Sequence, residues 1–247
     1  MAKFIILDTE TTGADEHDRI IQLGFMVLEG ASVEVYNEYC YSDVPISFGA
    51  MEAHNITPDM IAGKPLCAEI GAYQKLLELN SSENYIIIHN APFDIGMLEK
   101  EGFKNQMKLI DTLKVARHIL DEQEYHRLQY LRYSLGIYKN EAAEAEKLGV
   151  EIKAHDAIGD VLILKLLLTE LRKKIESIYS GENAIDKMLE LTNTPVFYKK
   201  PLRFGKYRGQ TLLEILEADR GYLEWMRDKM ENLDDDMRYS IERVLNG

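Results

Sequence analysis

The apolar and polar positions of this chain recur with two different periods, which separate predicted strands from predicted helices. The apolar run at residues 4–7 has the length of a buried strand and leads into the acidic sequence DTE at residues 8–10. Residues 19–28 and 32–41 are rich in β-branched and aromatic residues, and the second segment alternates between apolar and polar positions. We therefore predict a hairpin that extends an antiparallel sheet from the first strand.

Two further strand-like segments, residues 85–89 and 107–111, alternate with segments whose apolar residues recur at helical spacing. A helix is predicted to begin near Pro92, because proline suits the first turn of a helix. Antiparallel strands followed by strands that alternate with helices predict an α/β fold, in which helices flank a mixed sheet. The other predicted helices occupy residues 66–79, 112–120, 127–135, 141–148, 156–178 and 181–191.

The sequence changes character at residues 193–195, where turn-forming residues indicate a domain boundary. We predict one large domain at residues 1–178, a linker or helix at 179–194, and a small, mainly helical C-terminal module at 195–247. The helices predicted in this module occupy residues 211–218, 222–230 and 236–245.

The C-terminal module begins with a basic segment. Residues 195–210, PVFYKKPLRFGKYRGQ, contain five Lys and Arg residues, four aromatic residues and no acid. Gly205 and Gly209 are predicted to bracket a tight turn that presents Lys206 and Arg208 to solvent. Such a loop could hold a phosphate backbone and stack a nucleic-acid base.

A second interpretation assigns the aromatic residues of this module to its core. A small module needs apolar side chains inside, and Phe204, Tyr207 and Trp225 are the candidates. The basic residues would then do no more than solvate the surface.

Composition and charge limit the classes of protein to consider. The chain has 247 residues, of which 46% are hydrophobic and 29% charged, as in ordinary soluble globular proteins. The N-terminal sequence MAKFIILD lacks the apolar core of a signal peptide, and no segment has the apolar length of a membrane span, so we expect a cytoplasmic protein without membrane contact. The net charge of −13 repels nucleic acid, so such a partner would need a local basic patch or a bound metal ion.

Acidic residues follow core elements in three separate segments. Asp8 and Glu10 are two positions apart, so their carboxylates are predicted to point to the same side at the end of the first strand. Asp94 falls in the first turn of a helix, and Asp160 lies near the start of the longest helix. Because buried acids need a partner or a cation, this set suggests a metal site built from oxygen ligands. The alternative is that Asp8 is a turn residue and Glu10 its solvated neighbour.

His155 precedes Asp160 by five positions, a spacing at which two residues cannot share one helix face. We therefore expect His155 on the loop before the helix, with Asp156 as the helix cap. Four carboxylates can hold two divalent cations, and a pair of cations about 4 Å apart suits phosphodiester cleavage. A histidine with an ordinary pKa of about 6.5 is suited to remove a proton from the attacking water near neutral pH.

Three motifs, IILDTETTG, HNAPFDIGML and HDAIGD, resemble those of the DEDDh 3'-5' exonucleases, the family of the proofreading epsilon subunit of DNA polymerase III. The similarity covers roughly residues 3–172 and includes the auxiliary segments EAHNIT, LIDTLKVAR and HRLQYLRYSLGI. It implies a ribonuclease H-like fold and two divalent metal ions, Mg²⁺ or Mn²⁺. The residues that it implies are His155 as general base and the metal ligands Asp8, Glu10, Asp94 and Asp160.

The same resemblance implies that Thr11, Asn90 and Phe93 contact the terminal nucleotide. Asn90 could instead be a helix cap, and Phe93 a core residue. The tail sequence RFGKYRGQTLLEILEADRGYLEWM resembles the C-terminal module of enzymes of the exodeoxyribonuclease X type, and Lys206 and Arg208 are its predicted substrate-binding residues.

Together these resemblances predict an enzyme that hydrolyses DNA from the 3' end to 5'-mononucleotides, in DNA repair or proofreading. The expected partner is DNA with a single-stranded or frayed 3' end, bound by a monomer or homodimer. An RNA-directed 3'-5' exonuclease, of the oligoribonuclease or tRNA-trimming type, is the alternative, because nothing in the motifs reads the 2'-hydroxyl. A non-catalytic binding module with the same fold is a third interpretation, against which the complete set of acids argues.

Overall fold

The computed structural model describes residues 2–150, 156–231 and 233–247. The chain divides into two compact units, Met1–Thr192 and Asn193–Gly247, which we call the first and the second unit. None of the helices in the described ranges is long and apolar enough to cross a membrane.

The first unit contains a five-stranded mixed sheet in the order β3-β2-β1-β4-β5. The pairs β1–β2 and β2–β3 are antiparallel, and the pairs β1–β4 and β4–β5 are parallel. Both the hairpin and the mixed sheet predicted from the sequence are confirmed. The strands are β1 (Phe4–Thr11), β2 (Ile20–Glu29), β3 (Ser32–Tyr39), β4 (Tyr85–Ile88) and β5 (Lys108–Asp111).

Helices flank this sheet and form most of the second unit. Those of the first unit are α1 (Phe48–His54), α2 (Pro58–Ile61), α3 (Gly71–Leu79), α4 (Ala91–Lys100), α5 (Thr112–Ile119), α6 (Leu128–Ser134), α7 (Glu141–Leu148) and α8 (Ala157–Ile178). The remaining helices are α9 (Ala184–Asn193), α10 (Leu212–Lys229) and α11 (Asp235–Asn246).

Two helical segments differ from their predicted form. The segment 66–79 contains a 3₁₀ turn, Cys67–Glu69, that is separated from α3 by the extended backbone of Ile70. In the tail, the two helices predicted at 211–218 and 222–230 are joined as α10, which is kinked at Asp219 (φ −156°, ψ 76°).

Side-chain alternation along β1 divides its residues between two cores, one on each face of the sheet. Ile5 and Leu7 are fully buried in the core that includes Leu98 of α4. Ile6 is fully buried in the opposite core, with Leu162 of α8. Each buried aliphatic side chain contributes about 1.5–3 kcal/mol, so both faces hold β1 in register. The acids that continue the strand are therefore fixed in direction as well.

The second unit has its own apolar core, which is almost entirely aliphatic. Its fully or nearly fully buried members are Leu202, Leu212, Ile215, Leu223, Met226, Met237, Ile241, Val244 and Leu245. Helix α9, by contrast, contributes Ala184, Met188 and Leu191 to the core of the first unit.

Candidate active site

Three carboxylates converge where β1 ends and α8 begins. Asp8 and Glu10 occupy the same alternate positions of β1 as Ile6, and thus the face that α8 covers. Asp160 lies in the first turn of α8. One carboxylate oxygen of each residue lies within 4.8 Å of the other two. Since both acids of β1 belong to the strand, the alternative in which Asp8 is a turn residue is wrong.

A glycine allows α8 to reach this position. Gly24 of β2 lies opposite Asp8 in the antiparallel pairing. A Cβ atom on Gly24 would lie 2.9 Å from backbone atoms of Ala157 and Ile158, closer than nonbonded atoms can approach. Glycine is therefore required here for close approach of the helix to the strand.

A buried glutamine fixes the first residues of α8. Gln22, opposite Glu10 in β2, is fully buried. Its Nε2 donates to Asp156 Oδ1 at 2.6 Å, and its Oε1 accepts from the Ala157 N–H at 3.3 Å. Asp156 occupies the N-cap position, as predicted, but its carboxylate accepts from Gln22 and caps no helix N–H. The partners are 134 residues apart, so no local sequence signal indicates them.

Asp94 approaches the site from the opposite face of the sheet. It lies in the first turn of α4 and is only 3% exposed. Its Oδ1 accepts from the Thr9 N–H at 3.0 Å and from the Thr9 hydroxyl at 2.8 Å. Thr9 stands between the two acids of β1, and strand alternation directs it toward α4. Asp94 lies outside the group of three whose oxygens meet within 4.8 Å, although its charge acts on Asp8 and Glu10.

Burial and mutual repulsion raise the pKa of every acid on β1 and α4 at this site. Burial, followed by the charges of Asp94, Asp160 and Glu10, holds the pKa of Asp8 well above its ordinary range. Burial and the charges of Asp160 and Asp94 raise the pKa of Glu10 to about 8. Burial raises the pKa of Asp94 to about 7, against the hydrogen bonds from Thr9 that lower it.

This arrangement suits divalent cations. Carboxylate oxygens are the ligands that Mg²⁺ and Mn²⁺ prefer, and three of them converge here from two elements. Without a positive charge, burial and then the repulsion between the acids disfavour their ionised forms, which is why the pKa values of Asp8 and Glu10 are raised. A bound cation would remove that repulsion, so the residues present fit a metal centre.

A hydrogen-bonded chain on α6 supports the third acid. Gln129 Nε2 donates to Asp160 Oδ1 at 2.6 Å, and Gln129 Oε1 accepts from Arg132 Nη1 at 3.1 Å. Arg132 in turn forms a bidentate ion pair with Glu141, in which both side chains are 11% exposed. Gln129 is not among the predicted site residues, although it lies within the auxiliary segment HRLQYLRYSLGI.

Thr11, which follows Glu10 and is predicted to contact the terminal nucleotide, accepts a hydrogen bond from a histidine. Thr11 is 6% exposed, and its hydroxyl donates to the Gly13 carbonyl at 2.7 Å. Nδ1 of His54 accepts from the Ile56 N–H at 2.9 Å, so Nε2 carries the hydrogen and donates to the Thr11 carbonyl at 3.1 Å. His54 thereby fixes the backbone that leaves β1.

The other two residues predicted to meet the nucleotide lie at the start of α4. Asn90 is exposed at the N-cap position, with a left-handed backbone (φ 75°) and no capping hydrogen bond from its side chain. Its N–H donates to Asp111 Oδ1 at 3.1 Å, which holds the turn. Phe93 is partly buried and packs against the core on this face. Asn90 thus takes the backbone position of a helix cap without using its side chain as one.

Two histidines, His155 and His89, begin the motifs HDAIGD and HNAPFDIGML. His155 lies outside the described residues. The ring of His89 is bound on both sides, by the Thr112 hydroxyl at 2.9 Å and the His126 carbonyl at 2.8 Å. Burial of its ring lowers the pKa of His89 to about 4, so His89 is neutral and has a structural role.

The two predicted substrate-binding residues of the tail belong to the second unit, and both are exposed. Lys206 Nζ pairs with Asp219 at 3.0 Å. Arg208 lies on the same short loop.

Fold and site together define a nuclease of the exonuclease class with a ribonuclease H-like fold. The Exonuclease family profile matches residues 5–168, and the Exodeoxyribonuclease X-like C-terminal profile matches residues 202–231. The chain therefore belongs to the exonuclease family.

Two relatives are similar over nearly the whole chain. Exodeoxyribonuclease 10 of Escherichia coli K12 is 29% identical over 246 residues, which cover 97% of each chain. The DNA polymerase III subunit epsilon of Haemophilus influenzae is 33% identical over an alignment of 257 positions, which covers 92% of each chain. A solved structure, exonuclease X in complex with 5' overhanging duplex DNA, shares the fold with a TM-score of 0.55 and 24% identity over 77% of this chain and 99% of that one.

Proposed function

We propose that this protein is a metal-dependent 3'-5' exonuclease that hydrolyses DNA to 5'-mononucleotides, in DNA repair or proofreading. The observation that carries the proposal is the meeting of Asp8, Glu10 and Asp160 within 4.8 Å, at a point where their repulsion favours cations. Relatives named for exodeoxyribonuclease activity and for a DNA polymerase subunit support DNA as the substrate.

The residues proposed to hold two divalent cations, Mg²⁺ or Mn²⁺, are Asp8, Glu10, Asp94 and Asp160. When bound, the cations supply a lower pKa for the attacking water and stabilise charge on the phosphate and the leaving oxygen. Both Thr9 donors bind Oδ1 of Asp94 and thereby fix the orientation of this carboxylate. Gln129 Nε2 likewise donates to Oδ1 of Asp160.

His155 is proposed as the general base that accepts a proton from the attacking water. The support for this role is the motif HDAIGD and the position of His155 one residue before the N-cap of α8. His89 does not compete for the role, because both of its ring nitrogens are hydrogen-bonded and its pKa is depressed to about 4.

The terminal nucleotide is proposed to lie against the start of α4 and the end of β1. Asn90 has an exposed side-chain amide, and Phe93 has a partly exposed ring. The backbone carbonyl of Thr11 is fixed by its hydrogen bond with His54. The left-handed backbone of the exposed Asn90 fits this role, because sparsely populated backbone conformations cluster at binding sites.

The test is degradation of matched DNA and RNA oligonucleotides labelled at either the 5' or the 3' end, with Mg²⁺, Mn²⁺ or chelator. We expect a 5'-labelled DNA ladder that shortens only with metal, and immediate release of a 3' label as mononucleotide. Asp8→Asn should abolish both, whereas Asp15→Asn, which removes an exposed acid elsewhere, should not. Faster degradation of RNA would assign the protein to the RNA-directed alternative. Undiminished activity of Asp8→Asn would refute the proposed site.

A further inference from the structure

The second unit differs in charge from the rest of the chain. Residues 193–247 contain ten Lys and Arg and ten Asp and Glu residues, so the whole net charge of −13 belongs to residues 1–192. Within the second unit, residues 195–210 carry five of the basic residues and no acid. An anionic polymer that the first unit repels thus meets a local basic surface here.

A short closed loop presents part of this basic segment. The N–H of Leu202 donates to Gln210 O at 2.8 Å, and the N–H of Gly209 donates to Leu202 O at 2.7 Å. Leu202 is buried in the core, so the ends of the loop are anchored. Gly205 (φ 73°) and Gly209 (φ 92°) have left-handed backbones, as the glycine spacing predicts.

Asp219 fixes the loop to α10. Its carboxylate accepts from the Tyr207 hydroxyl at 2.7 Å and pairs with Lys206 Nζ at 3.0 Å. Its other oxygen accepts from the Tyr222 N–H at 3.1 Å, across the kink in the helix. The kink therefore provides the acid that joins loop and helix, and the loop is ordered before any ligand arrives.

Three aromatic rings form a continuous row beside this junction. The centroids of Tyr207 and Tyr222 lie 4.9 Å apart, and those of Tyr222 and Trp225 lie 5.7 Å apart with the rings inclined by 28°. Lys206 lies over the ring of Tyr207, 4.7 Å from its centroid. Gly205 packs so closely on the Tyr222 hydroxyl that a Cβ there would lie 2.5 Å from it.

The outer aromatic residues are not core residues. Trp225 is 49% exposed and Phe204 is 38% exposed, while the core of the second unit is aliphatic. The interpretation that places these two residues in the core is therefore wrong, although Tyr207 does pack partly against it. Large rings left half exposed beside cations are the arrangement with which proteins stack and hold single-stranded nucleic acid.

We propose that this surface, formed by Phe204, Lys206, Arg208, Tyr222 and Trp225, binds single-stranded DNA. Bases stack on the exposed rings, and the two cations contact phosphates. The inference rests on the proposed function for the choice of DNA. The ion pair between Lys206 and Asp219 is an exposed one, with 63% and 31% of the side chains accessible, so a phosphate can compete for the lysine.

Single-stranded DNA fits this surface better than a duplex or an acidic protein. Exposed rings gain no stacking contacts with a duplex, because its bases already stack on one another. A single strand, by contrast, can turn its bases outward onto the rings. An acidic peptide would satisfy the cations but not the rings. Binding here would retain the substrate between catalytic events, because a second attachment raises its effective concentration.

Trp225 is the only tryptophan of the chain, so fluorescence excited at wavelengths that tyrosine does not absorb reports on this surface alone. The experiment titrates the full-length Asp8→Asn protein, in chelator, with an oligo(dT) strand and with the matched duplex. We expect saturable quenching of Trp225 by oligo(dT), with weaker binding of the duplex. The double variant Lys206→Gln/Arg208→Gln should weaken binding about tenfold and lower the slope of log K against log salt by about 1.4.

A control variant, Lys104→Gln, removes an exposed charge of the first unit and should leave the affinity unchanged. Trp225→Ala, followed by fluorescence anisotropy of a labelled oligo(dT) strand, should weaken binding by about tenfold or more while leaving the thermal transition in place. Unquenched Trp225 together with oligo(dT) hydrolysis by the wild-type protein would overturn the inference and leave the proposed function standing. Tighter binding of oligo(U) than of oligo(dT) would overturn the choice of DNA.

Discussion

Glu10 allows the electrostatic description of the site to be tested without any substrate. Its pKa is raised from 4.5 to about 8 in the folded protein, so folding without metal costs free energy wherever Glu10 must ionise. Between these pH values the folded state binds more protons than the unfolded state. The free energy of unfolding therefore falls as pH rises through this window. Glu10→Gln removes the titrating group, so the variant should not show this loss.

The displacement of the Glu10 pKa corresponds to an upper limit of about 5 kcal/mol. Water reaches the half-buried carboxylates, so we expect about 2 kcal/mol in practice. For a chain of this size that difference raises the melting temperature by about 4–8 °C. In chelator, Glu10→Gln should match the wild type near pH 4 and exceed it by this amount above pH 8.

Differential scanning calorimetry in chelator from pH 4 to pH 9 measures the effect. Glu83→Gln is the matched control, because Glu83 is exposed and precedes β4 at the opposite end of the sheet. Adding Mn²⁺ above pH 8 should raise the melting temperature of the wild type more than that of Glu10→Gln. Parallel profiles for Glu10→Gln and wild type would mean that neither burial nor the neighbouring acids raise the pKa of Glu10, and the description of the site would fail.

Three other substitutions test separate parts of the site. Gln129→Leu should lower kcat or metal affinity about 10–100-fold with the fold intact, because Asp160 loses the hydrogen bond from Gln129. Steady-state kinetics against Mg²⁺ concentration measures this, and unchanged kinetics would exclude a positioning role. Gly24→Ala should destabilise the protein by about 1–3 kcal/mol and reduce activity, because its Cβ would meet the start of α8; Gly96→Ala, with open space at the Cβ, is the control in thermal melts. His155→Ala should cost about 100-fold or more in kcat and remove the acidic limb of the pH–rate profile; a wild-type profile would require another base.

The strand periodicity of β1 was enough to predict which acids point together. Ile6, Asp8 and Glu10 share one face, and Thr9, which lies between the two acids, is on the other. What the sequence does not indicate is which partner arrives from elsewhere. Gln22 and Asp156 are separated by 134 residues, and nothing local to either records the hydrogen bond between them.

Close approaches are hidden in the same way. In the sequence Gly24 looks like any other glycine in a strand. The reason for a glycine here is a helix that begins more than 130 residues later in the chain. For the C-terminal module the sequence left two interpretations open, one of which placed aromatic residues inside it because a small module needs apolar side chains there. Aliphatic residues of α10 and α11 fill that core instead, which leaves Trp225 half exposed.

The position of Mn²⁺ in crystals of the protein, located through its anomalous scattering, shows whether Asp8, Glu10 and Asp160 form a metal centre. We expect a peak about 2.1 Å from carboxylate oxygens of these three residues, and no such peak in Asp160→Asn. A peak confined to the group Asp15, His17 and Asp18, or no peak at β1, would exclude this site.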